Sequence, residues 1–115
     1  MPKKKVSQDK QFPKAQAVLL AALLDYSTEA IVSRALVQKE TGSVTLFSFD
    51  IGQKLSEHTA PFDALVQILE GQAELTIGGQ KVCPKAGECV LMPANIPHAV
   101  NAVERFKMLL TMIRS

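Results

Sequence analysis

From Glu29 onward, apolar and polar positions alternate in short runs separated at close intervals by Gly, Pro, Asn or Asp. Neighbouring side chains on a strand face opposite ways, so this alternation marks strands with one buried face. Strands are predicted over 30–38, 43–50, 53–58, 62–69, 72–77, 80–84, 88–92, 98–102 and 105–113. In 43–50, Val44 and Leu46 share one face and Phe47 and Phe49 the other. In 105–113, Phe106, Met108, Leu110 and Met112 share a face opposite Lys107, Leu109, Thr111 and Ile113. Gly78-Gly79 sits where a two-residue hairpin turn needs positive φ, and Pro93 and Pro97 bracket a loop that delays ladder hydrogen bonding. Helix is compatible only with 14–24. Short strands joined by tight turns must hide their apolar faces against each other, which predicts a jelly roll or barrel.

The totals agree. A chain of 115 residues holds one compact domain. Apolar residues are 47% of it, aromatics only 5%, and Trp is absent, so the core must rest on Val, Leu, Ile, Ala and Met. Residues 1–14 carry five lysines against Asp9, a charge of +4, and the remaining body carries −2. The expected organisation is a flexible basic arm over 1–14 and one domain over 15–115. Basic residues do not continue onto the body among stacking aromatics, so nucleic acid is not an expected partner. No apolar run is long enough to cross a bilayer. The apolar segment 15–24 lacks the cleavage pattern of an export signal, so a cytoplasmic chain with Cys83 and Cys89 reduced is expected. No phosphate loop, G-x-S-x-G elbow or zinc-finger spacing occurs.

Two stretches carry candidate chemistry. Residues 52–71 read GQKLSEHTAPFDALVQILEG and residues 87–102 read GECVLMPANIPHAVNA. The first resembles the first motif of the cupin superfamily, G-x5-H-x-H-x3,4-E-x6-G, through Gly52, His58 and Gly71. Ala60 and Ala64 stand where the second His and the Glu belong. The second stretch resembles the other cupin motif, G-x5-P-x-G-x2-H-x3-N, through Gly87, Pro93 and His98. Asn95 replaces its middle Gly and is the next most tolerant residue of left-handed backbone, while Ala102 replaces its final Asn. The resemblance runs from Ser43 onward and implies an all-β, cupin-type jelly-roll barrel.

In similar cupins, three imidazoles and one carboxylate hold Fe, Mn, Ni, Cu or Zn. Here His58 and His98 remain and two methyl groups stand at the other positions. Asp63 is the one nearby carboxylate in play as a third ligand, provided the corner at Pro61 turns it inward. Strand parity places Ala60, Ala64, Val66 and Ile68 beside the histidines, with Val100 next to His98. That wall suits a small, largely apolar molecule held by few polar contacts.

Three functions follow as expectations. The first is binding of a small organic ligand through His58 and His98 without a tightly held metal. The second is a metal-dependent dioxygenase, isomerase or decarboxylase with an incomplete two-His site. The third is a structural or assembly role. A homodimer is also expected, with segment 15–37 covering an edge or crossing to the partner.

Overall fold

The computed structural model describes residues 12–114, so most of the basic arm lies outside the described residues. Nine strands follow one turn of 3-10 helix at Leu20–Ala22. They are β1 (Ile31–Lys39), β2 (Gly42–Phe49), β3 (Lys54–His58), β4 (Asp63–Gly71), β5 (Glu74–Ile77), β6 (Gln80–Val82), β7 (Cys89–Met92), β8 (His98–Asn101) and β9 (Phe106–Ile113). Each begins and ends within two residues of its sequence expectation.

The strands form two antiparallel sheets, one ordered β1-β2-β9-β4-β7 and the other β3-β8-β5-β6. The barrel expected from the resemblance is therefore not closed. It is a jelly-roll sandwich of two sheets whose inner faces share one core. That core contains Phe49, Val66, Ile68, Leu75, Val100, Phe106 and Met108, all nearly or wholly buried. Phe49 and Phe106 are cross-strand partners on β2 and β9, and their rings stack with centroids 4.5 Å apart. Such a pair adds about 0.5–1.5 kcal/mol beyond the area it buries.

Segment 14–24 forms only that single 3-10 turn, shorter than the helix its composition permits. Its carbonyls are taken by the sheet instead. Lys107 Nζ donates to the Ala21 carbonyl at 2.6 Å, and Ser48 Oγ donates to that of Asp25 at 2.9 Å. Tyr26 then donates its hydroxyl to Glu70 at 2.6 Å. The segment thus lies across the outer face of the five-stranded sheet, where Ser48 and Lys107 are buried beneath it.

Candidate functional site

His58 closes β3 and His98 opens β8, and the two are direct cross-strand partners. The rings meet edge to face with centroids 4.4 Å apart and planes at 69°. His98 is buried and His58 is exposed, so the pair sits at the rim with one ring in the wall. Their meeting depends on an irregularity in the ladder. Leu55 pairs with Val100, yet His58 rather than residue 57 pairs with His98. One extra residue on β3 reverses the parity between Leu55 and His58 and turns the imidazole toward His98.

Both rings are oriented in the same way. His58 Nδ1 lies 2.7 Å from the Ser56 carbonyl oxygen, and His98 Nδ1 lies 3.2 Å from that of Ile96. A carbonyl oxygen only accepts, so each Nδ1 carries hydrogen and donates it. In the neutral rings this leaves each Nε2 with its lone pair available. These carbonyls were not among the sequence candidates. Their signal is local, because each belongs to the residue two positions before its histidine.

The loop that leads into His98 is fastened to the corner that follows His58. Asn95 donates its N–H to the Ala60 carbonyl at 2.7 Å. Ala94 donates its N–H to Asp63 Oδ1 at 2.9 Å. Asn95 has φ of 64°, the left-handed backbone that its place in the motif led one to expect. Asp63 pairs with Ile113 across β4 and β9, on the face opposite Ala64, and its carboxylate accepts from the loop at Ala94.

Ala64 is buried and has Met92 and Met112 as its cross-strand neighbours on the inner face. Val66, Ile68 and Val100 belong to the hydrophobic core, while Ala60 is half-buried at the corner. Among the described residues, no group of three or more His, Cys, Asp or Glu side chains is placed to hold a metal ion. Cys83 and Cys89 are free and exposed. No helix among those residues is long and apolar enough to cross a membrane.

Comparison with known proteins places these features. The family model described as the cupin domain matches residues 45–113. A conserved protein of unknown function from Streptococcus pyogenes is 38% identical over 92% of this chain and 93% of its own, with a TM-score of 0.87. A cupin superfamily protein from Desulfitobacterium hafniense is 32% identical, with coverage of 92% and 97% and a TM-score of 0.86. A cupin 2 conserved barrel domain protein from Leptotrichia buccalis is 42% identical over 82% of this chain and 46% of its own, with a TM-score of 0.79. Among curated proteins, none matches the chain.

Proposed function

This chain belongs to the cupin family, and from that premise we propose that it binds a small, largely apolar organic molecule between its sheets, beside His58 and His98. The observation that carries this reading is the pair of Nδ1–H donors committed to carbonyls. Each free Nε2 is thereby an acceptor for a hydroxyl, acid or N–H group on the ligand. The methyl groups of Ala60 and Ala64 add no charge, so the ligand is held by few polar contacts against an apolar wall.

The metal cage of similar cupins does not fit these residues. Two imidazoles remain of four ligands, Ala60 and Ala64 offer no donor atom, and Asp63 is committed to the Ala94 N–H on the outer face. One observation keeps a metal-dependent reading alive as the alternative. Carbonyls holding Nδ1–H are also the outer partners that orient a metal-ligating imidazole. Elemental analysis of untagged protein purified without chelator separates the two. The proposed reading expects substoichiometric metal. It also expects a thermal shift with a phenol that is lost in His58→Ala and His98→Ala. Stoichiometric metal that both substitutions remove would replace it with the metal reading.

A further inference from the structure

Residues 93–97 lead from β7 into His98, and their backbone donors can be accounted for in full. Pro93 and Pro97 have no N–H to place. The three N–H groups between them each have an acceptor. Ala94 donates to Asp63 Oδ1 at 2.9 Å, Asn95 to the Ala60 carbonyl at 2.7 Å, and Ile96 to the Pro93 carbonyl at 3.4 Å. At the far end the Pro97 carbonyl accepts from the Gly78 N–H at 2.8 Å. The loop is therefore a strap across the histidine end of the sandwich. One side is fastened to the corner before β4 and to the first residue of β4, and the other to the turn between β5 and β6.

This strap carries the carbonyl that orients His98. The Ile96 oxygen lies 3.2 Å from His98 Nδ1, against 2.7 Å for the matching contact of His58. The longer bond is the more fragile, since a displacement of about 0.4 Å takes it out of hydrogen-bonding range. His98 is buried, so an Nδ1–H that loses this acceptor is costly to leave unpaired. The ring then gains by carrying its hydrogen on Nε2 instead. The acceptor is local to His98, but what holds it still is not.

We propose that Asp63 is the positioning residue that keeps the hydrogen of His98 on Nδ1, acting through the strap. Among the strap's acceptors outside the loop, Asp63 alone is a side chain. It is also the one held in a ladder, opposite Ile113 of β9, whereas Ala60 belongs to the corner between strands. Water can satisfy the Ala94 N–H in its place but cannot tether it to β4. The inference rests on the reading above, in which His98 Nε2 accepts from the ligand, and it adds the origin of the site's selectivity. With hydrogen on Nδ1 the ring takes a ligand O–H or N–H, as in a phenol. With hydrogen on Nε2 it takes an ether or carbonyl oxygen.

Imidazole 15N spectra of the full chain without ligand, at about pH 8.5 where an ordinary imidazole is neutral, test the assignment. Wild type should show a protonated Nδ1 and an unprotonated Nε2 in both rings. In Asp63→Ala the two nitrogens of His98 should lose that separation and move toward each other, as exchanging tautomers do. Asp63→Asn keeps an oxygen acceptor and should retain the wild-type pattern. His58 takes its orientation from Ser56 on its own strand and should be unchanged in both variants. Asp63 is exposed, so both variants should still unfold cooperatively. A His98 signal in Asp63→Ala identical to wild type would overturn the proposal and leave the ligand reading standing. So would an Asp63→Asn spectrum that matches Asp63→Ala, or equal changes in both rings. A wild-type His98 with its hydrogen on Nε2 would overturn both.

Discussion

Gly52 and Gly71 are both anchors of the first cupin motif, and replacing each by Ala should separate two reasons for a glycine. Both have left-handed backbone, with φ of 87° and 76°. An L residue held there costs about 1–2 kcal/mol. The smaller entropy of the unfolded chain offsets part of that equally in both variants. Their surroundings differ. A Cβ at Gly52 would meet nothing within 4 Å, whereas one at Gly71 would lie 2.2 Å from the Arg105 carbonyl oxygen and 2.9 Å from Phe106 Cα.

That contact is more than 1 Å too close, and the obstructing atoms are backbone. Gly71 pairs with Phe106 across β4 and β9, so relieving the clash means parting those strands. Phe106 is wholly buried and stacked on Phe49, so the displacement reaches the core. Overpacking of this kind costs about 1–3 kcal/mol. After that offset, Gly52→Ala should lose up to about 1.5 kcal/mol and Gly71→Ala about 1–4.5 kcal/mol. In urea unfolding, the midpoint of Gly71→Ala should fall about 1 M below that of Gly52→Ala at equal slope. Midpoints within about 0.2 M of each other would show that backbone angle alone explains both glycines.

Other residues give separate tests. Lys107→Met removes a buried ammonium that donates to Ala21 and lies 3.8 Å from Glu70. It should cost about 1–3 kcal/mol and speed hydrogen exchange at residues 20–26 while the β4–β9 amides stay protected. Equal acceleration in both regions would refute the pinning role. Arg105, and then the Glu29 N–H, hold the Asp50 carboxyl below the usual carboxylate range. Its stabilisation is therefore present above the unfolded-chain value and lost as pH falls through the lower folded one. The stability difference between wild type and Asp50→Asn should be flat above about pH 5 and shrink below about pH 4. A difference that persists unchanged into strong acid would refute it. Burial first, and then the hydrogen bond to Glu70, raise the Tyr26 phenol. Stability should thus hold up to about pH 10 and fall as pH rises from there toward the folded value, a decline that Tyr26→Phe flattens. Tyr26 is the one tyrosine in a chain without Trp, so phenolate absorbance reads it directly. A normal titration midpoint in the folded protein would refute the assignment.

Where a structural fact depends on neighbours along the chain, the sequence shows it plainly. Alternation placed Ala64, Val66 and Ile68 on the inner face, and all three are buried there. Asn95 revealed its left-handed backbone because few other residues tolerate it. Facts that need a distant segment were hidden. Lys107 and Ser48 read as outward polar residues on their strands, and they do face outward. They are buried because residues 21–26 lie over them, and no local pattern around either residue records that cover. Asp63 illustrates the same limit, since its anchoring partner, the Ala94 N–H, is a backbone group carried by a loop thirty-one residues away. The choice between two packed sheets and one closed barrel was left open, because strand alternation is the same in both.

The histidine pair stands between these cases, which explains why spacing could identify it without describing it. Each ring is oriented by a carbonyl of its own strand, two residues back, so the direction of each Nε2 is a local property. Only the register of β3 against β8 is non-local, and a slip of one residue would turn His98 to the opposite face. Leu55 opposite Val100, with both packed in the core, holds that register. Counting by twos from Leu55 would nevertheless bring Glu57 to His98. The extra residue between Leu55 and His58 corrects the count, so the irregular stretch of β3 determines which side chain reaches the site. An exposed ring set against a buried one follows from this placement, because His58 comes from the irregular end of its strand while His98 begins a regular one. The asymmetry leaves the His58 ring at the rim and sets the His98 ring into the wall.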